Sequence, residues 1–225
     1  TLLYAGVIWL RNRLYDWGCL KSQSFDLPVV VIGNLAVGGT GKSPMTEYIL
    51  RQVKDTVNIA VLSRGYGRKT KGFRYVMPND QASLTGDEPL QIKRKFPQVT
   101  VAVAEDRCLG VNTLQTQHDA ILLDDAFQHR RLKPSFAILL FDYQSLLEPI
   151  LPLPTGNFRD LMPESHRAQA IVITKCPNSI SLAEAENIKN KLLKYSSAPV
   201  FFSRIRYSQV QSDRHSLNTE DLKTM

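Results

Sequence analysis

Gly38, Gly39, Gly41, Lys42 and Ser43 stand close together in "AVGGTGKS", after the apolar run Val29–Ile32 and ahead of a helix-like stretch. Glycines beside a lysine and a hydroxyl suit one kind of chemistry. Their backbone N–H groups turn inward around phosphate oxygens, and the helix that follows adds favourable partial charge at its N-terminus. Gly38, Gly39, Thr40 and Gly41 would form the cradle. Lys42 would reach the β- and γ-phosphates of a nucleotide, and Ser43 would ligate Mg²⁺. Pro44 suits a first helical turn, where its missing N–H costs little. The strict phosphate-loop pattern opens on glycine, and this chain has Ala36 there; the added Gly38 and Gly39 compensate.

A second group is acidic. "HDAILLDDAFQHRR" holds an apolar run ending in Asp124 and Asp125. A carboxylate at a strand end holds Mg²⁺ directly or through water. The competing reading is a pair of solvated loop aspartates. GTP-binding proteins read guanine with the Asp of an Asn/Thr-Lys-x-Asp element. Here Thr174 and Lys175 lead to Pro177 in that position, so ATP is the expected nucleotide.

Three smaller pieces sit beside other apolar runs. "LSRGYGRKTKG" offers Arg64, Tyr66 and Arg68 where a strand's C-terminal end would face a ligand crevice. They would hold an acceptor's phosphate, or they form a solvated basic loop. "TGDEPLQI" sets Asp87 and Glu88 before a helix, either as helix-terminal charges or with Asp87 as a base accepting a hydroxyl proton. "VAEDRCLG" offers Arg107, either in a surface ion pair or as a stabiliser of a transferring phosphoryl group.

Strands and helices must position these groups. Short apolar runs at Val29–Ile32, Ile59–Leu62, Val99–Val103, Ala120–Leu123, Phe136–Phe141, Ala170–Ile173 and Val200–Phe202 read as buried parallel strands. Met45–Val53 and Ser181–Leu193 read as helices between them. Alternation of this kind predicts an α/β fold with a doubly wound, mostly parallel sheet. The Pro-rich Glu148–Ser165 reads as a long ordered loop with a functional part.

The 225 residues suffice for one large α/β domain, and the net charge of +7 favours anionic partners without choosing among them. Cys19, Cys108 and Cys176 are far apart and lack a Cys-x-x-Cys spacing, so neither a disulfide framework nor a zinc site is expected. The N-terminal apolar run Leu2–Leu10 is about half the length that spans a bilayer. As a helix it carries Leu3, Val7, Leu10 and Leu14 on one stripe, with Trp9, Tyr15, Trp17, Arg11 and Arg13 nearby. That pattern suits a helix in a membrane interface or one packed on the domain's own core.

"GNLAVGGTGKSP", "LSRGYGR", "GDEP", "EDR", "LLDDAFQHRRL", "LPTGNFRD" and "RAQAIVITK" occur in this order over about residues 1–205. Together they closely resemble the tetraacyldisaccharide 4'-kinases, the lipid A kinases of Gram-negative bacteria. The resemblance implies a P-loop kinase that moves the γ-phosphate of ATP, with Mg²⁺, to the 4'-hydroxyl of an acylated disaccharide 1-phosphate. It implies a peripheral protein on the cytoplasmic face of the inner membrane, with phosphorylated lipid and not nucleic acid as partner. By motif, Lys42 and Ser43 hold the nucleotide phosphates and Mg²⁺, Asp87 activates the sugar hydroxyl, and Asp124 and Asp125 belong to the metal site. Arg107 matches an active-site position, and Arg159 and Asp160 match a loop near nucleotide and metal. The implied division is an interfacial helix at 1–24, a kinase core at 25–207, and at 208–225 a linker or the start of a smaller C-terminal region. The family carries an Asp-His-His motif there that these residues do not include, so the expectation is an incomplete catalytic unit. The alternatives are a kinase or ligase acting on a small soluble metabolite, and a nucleotide-switched binding module.

Overall fold

The computed structural model describes residues 1–205 and the backbone of the short pairs 210–211 and 216–217. The expected unit 208–225 otherwise lies outside the described residues. In chain order the strands of the main sheet are β1 (Val29–Asn34), β2 (Ile59–Ser63), β3 (Arg74–Tyr75), β4 (Thr100–Val103), β5 (Ala120–Asp124), β6 (Phe136–Asp142), β7 (Ala170–Thr174) and β8 (Val200–Phe202), and the pairs 210–211 and 216–217 form a separate two-stranded ribbon. The helices are α1 (Leu2–Asp16), α2 (Lys42–Val53), α3 (Ala82–Thr85), α4 (Asp87–Lys95), α5 (Arg107–Leu114), α6 (Tyr143–Leu147) and α7 (Leu182–Leu193), with a 3₁₀ turn at Met162–Arg167.

The eight strands form one sheet in the order β3-β4-β2-β5-β1-β6-β7-β8. All pairings are parallel except the antiparallel edge of β3 on β4. Seven strands grow from the apolar runs. β3 is only two residues long and carries no run of its own. Alternation along β5 divides the core: Ile121 and Leu123 face the layer that holds Val111, Leu114, Ile188 and Leu192, while Leu122 faces the layer of Leu50, Leu90 and Ile92. Helices therefore cover both faces, as a buried parallel sheet requires.

From β1 the chain crosses through α2 to β2, and from β5 it passes to β6 on the other side of β1. Such a reversal opens a crevice at the C-terminal ends of the strands. The register sets Ile32 of β1 opposite Asp124 of β5, so the loop after β1 and the acidic pair end side by side. Gly33 is required at this point: a Cβ there would meet Cβ of Phe127 at 2.5 Å, so a side chain would push away the turn that follows Asp125.

The Pro-rich segment is a loop as far as Leu161, laid along the phosphate loop, and its end enters the 3₁₀ turn. The Val37 N–H donates to the Asn157 carbonyl at 2.7 Å and the Arg159 N–H to the Leu35 carbonyl at 2.8 Å. The helix α1 presents two different sides. Leu2, Leu3, Val7, Trp9 and Leu10 are exposed. On the other side Asn12 is buried and its Nδ2 donates to Asp160 Oδ1 at 2.9 Å. The Tyr4 hydroxyl donates to the Arg159 carbonyl, Arg11 to the Gln128 carbonyl, and Arg130 pairs with Asp16. Among the described residues no helix is long and apolar enough to cross a membrane.

Candidate active site

The phosphate loop is held open by its glycines. Gly38 and Gly41 take φ of 104° and 80°, a region that favours glycine, and Gly41 caps α2. Asn34 Nδ2 donates to Thr40 Oγ1 at 2.7 Å, and Thr174 Oγ1 donates to the Thr40 carbonyl at 2.8 Å. The last residue of β1 and the last of β7 thus fix the loop from two sides. The loop borders a cavity of about 380 Å³ lined by Gly38 to Pro44, Glu88 and Lys175.

A larger cleft of about 920 Å³ opens beside it, and Gly38, Lys42 and Glu88 line both. Of the residues expected to act, Lys42, Arg64, Tyr66, Asp87, Arg107, Asp125, Arg159 and Asp160 line this cleft. Arg68 does not. Its side chain is 2 % exposed and its guanidinium binds Glu105 and the Gly72 carbonyl, so the expectation that it faces an acceptor gives way to a role in holding its own loop.

The two aspartates differ sharply. Asp124 is 1 % exposed, and neither carboxylate oxygen has a hydrogen-bond partner among the described residues. Burial, reinforced by the negative charges of Glu88 and Asp125, pushes its pKa up to about 7 against the pull of Lys42 and Arg107. Asp125 has a φ of 50°, and its carboxylate meets Arg159 and, at 3.8 Å, Lys42. Burial opposes its charge too, but Arg159, Lys42 and Arg107 outweigh it and hold its carboxyl below the usual range.

Arg159 joins the halves of the site. Its guanidinium donates to both oxygens of Asp125 and to Asn34 Oδ1. Arg107 is buried at the start of α5 and donates to the carbonyls of Glu105 and Asp125. Burial and the neighbouring Arg64 lower its pKa, while Asp125, Asp124 and Glu105 resist that shift. The Asp160 carboxylate accepts from Asn12 and from the Leu161 N–H, and lies 3.8 Å from Arg167. Asp87 is the first residue of α4, exposed, with no side-chain partner among the described residues.

Sequence reasoning left out Asn34, Glu88, Gln128 and His129 as site residues. The Ser43 hydroxyl lies 3.4 Å from Glu88 Oε1, which brings that carboxylate to the loop and, through its charge, to Asp124. Its place beside Asp87 was the available signal. Gln128 donates to the Asn34 carbonyl at 2.7 Å, and His129 lines the cleft. Nothing in their spacing marks them.

The model of the family described as "Tetraacyldisaccharide-1-P 4'-kinase" (LpxK) matches residues 1–223. The chain belongs to this family. It is 44 % identical over 222 residues to the tetraacyldisaccharide 4'-kinase of Bacteroides thetaiotaomicron, covering 97 % of this chain and 58 % of that protein. It is 44 % identical over 230 residues to that of Flavobacterium psychrophilum, covering 100 % of this chain and 67 % of the relative. The crystal structure of LpxK from Aquifex aeolicus in complex with ATP aligns with a TM-score of 0.71 at 27 % identity, over 95 % of this chain and 83 % of that one. The chain therefore spans about six-tenths of the length of the Bacteroides relative. The LpxK match agrees with the P-loop-type α/β sheet read from the strand pattern.

Proposed function

We propose that the protein transfers the γ-phosphate of ATP to the 4'-hydroxyl of an acylated glucosamine disaccharide 1-phosphate, the lipid A kinase reaction of its family. The observation that carries this reading is that the two cavities share Gly38, Lys42 and Glu88 as lining residues. The phosphate loop and its Lys42 border the same cleft as Asp87, Arg64 and Tyr66. A donor phosphate at Lys42 and a hydroxyl at Asp87 would share one space.

The residues fit a nucleotide with its metal. An added Cβ at Gly38 or Gly39 would meet nothing within 4 Å, which leaves room for phosphate oxygens. Asp124 has two buried oxygens without donors, a costly arrangement that a cation relieves. Ser43, Asp124, Asp125 and Asp160 are the proposed metal-site residues, and Mg²⁺ there would neutralise charge on the β- and γ-phosphates. Lys42 and Arg107 hold positive charge against the developing charge on the transferring group. Asp87 takes the hydroxyl proton. Arg64 and Tyr66 meet the acceptor, and Arg159 keeps Asp125 and Asn34 aligned.

The exposed side of α1 supports an interfacial role. Leu3, Val7, Trp9 and Leu10 would enter the lipid surface while Asn12 and Tyr4 hold the Arg159–Asp160 loop. An acylated acceptor would then meet the cleft at the cytoplasmic face of the inner membrane.

The test is transfer of label from γ-labelled ATP to disaccharide 1-phosphate lipid in mixed micelles. The assay uses this chain and a form extended to the length of its curated relatives, with Lys42→Ala as control. Label on the lipid that Lys42→Ala abolishes supports the reading. Transfer only to soluble acceptors, or ATP binding without any phosphorylated product from the extended form, would replace it.

A further inference from the structure

We propose that Asp106, Cys108 and His129 form a site for a zinc-class divalent cation, separate from the proposed Mg²⁺ position. Their ligand atoms lie within 4.8 Å of one another. Cysteine spacing alone does not reveal such a site, because its donors come from two elements far apart in sequence. Asp106 and Cys108 open α5, and His129 follows β5.

Three observations support a ligand here. The His129 Nε2 atom is buried and has no hydrogen-bond partner among the described residues. Asp106 accepts from the Cys108 and Leu109 N–H groups through Oδ1, which fixes the first turn of α5 and leaves Oδ2 only a contact with Arg131 at 3.3 Å. The Arg131 side chain is mostly in solvent and can turn away. The buried Cys108 Sγ has one weak partner, the Arg131 carbonyl at 3.4 Å.

A sulfur, an imidazole nitrogen and a carboxylate oxygen suit zinc and do not suit magnesium, which takes oxygen ligands. The thiolate and carboxylate would balance the ion's two charges. Three protein donors leave a fourth tetrahedral position for water, the donor count of an open site. Because Asp106 and Cys108 flank Arg107, the ion would tie the turn after β5 to the residue that faces the transferring phosphate. Occupancy would therefore stiffen the cleft wall at Arg107.

Co²⁺ titration in excess Mg²⁺ tests the proposal. A thiolate-to-cobalt absorption band should saturate at one equivalent and be displaced by Zn²⁺. The band should persist in the Cys19→Ser/Cys176→Ser double variant and vanish in Cys108→Ser. Asp106→Asn retains the helix cap and should weaken Zn²⁺ binding by roughly tenfold or more. No band in the wild-type protein, or loss of the band in the double variant, would overturn the proposal. So would persistence of the band in Cys108→Ser.

Discussion

On one wall of the cleft Lys42, Asp125, Arg159 and Asn34 hold one another through ion pairs and hydrogen bonds, and the register of β1 with β5 sets the ends that bear Asn34 and Asp125 side by side. On the other wall Arg64, Tyr66 and Asp87 stand exposed, and no side-chain hydrogen bond joins them to another described residue. Tyr66 is 87 % exposed. The difference follows from what each wall would meet. On the proposed function, the phosphates of a nucleotide would present the same charges at every turnover, and partners set in advance would spare reorganisation at the moment of transfer. On the same reading, the other wall would keep its polar groups unpaired for a hydroxyl and a phosphate that arrive with the acceptor.

The contrast can be broken by substitution. Lys42→Ala should have the largest effect, lowering phosphate transfer by about 10³-fold or more because the donor wall loses its phosphate-facing charge. Asp87→Asn should lower kcat by about 10²–10⁴-fold, the scale of a general base. Its ATP affinity, measured by calorimetry, should stay near that of the wild type, because Asp87 belongs to the other wall.

Arg159→Ala should destabilise the fold by about 2 kcal/mol in urea melts, since it leaves Asp125 half-buried without its main partner. The matching change on the acceptor wall, Arg64→Ala, should leave the midpoint unchanged.

Asp124→Asn should act in the opposite sense. In the metal-free protein the folded-state pKa of Asp124 is raised from 3.8 to about 7, so the folded state holds this proton more tightly than the unfolded chain. Wild-type stability should then fall as pH rises from about 4 to 7, and the amide should not share that loss. At pH 8 the variant should be more stable by roughly 1–3 kcal/mol, shrinking to nothing near pH 4. Excess Mg²⁺ should stabilise only the wild type.

The smallest change concerns α1. Leu3→Ser should weaken binding to anionic vesicles by about 1 kcal/mol, as expected for one apolar side chain withdrawn from lipid. Thermal stability should hardly move, because Leu3 is exposed.

Much of the donor wall was legible in the chain. The apolar runs fixed seven strands, and the glycines followed by Lys42 and Ser43 located the loop. The unlike states of Asp124 and Asp125 were not legible. They depend on the register of β1 with β5 and on Arg159, which lies 34 residues beyond Asp125. Arg64 and Arg68 read alike in sequence, but only the fold brings Glu105 to Arg68. The two sides of α1 were similarly hidden, since the partner of Asn12 is 148 residues away.

The most direct measurement is single-turnover transfer from ATP to the disaccharide lipid by Asp87→Asn, beside its ATP affinity, in the form extended to family length. The account predicts ATP binding at wild-type strength with almost no labelled lipid. Loss of ATP binding together with transfer would contradict it, because the two walls would then be one unit. Transfer at the wild-type rate would remove Asp87 from the chemistry.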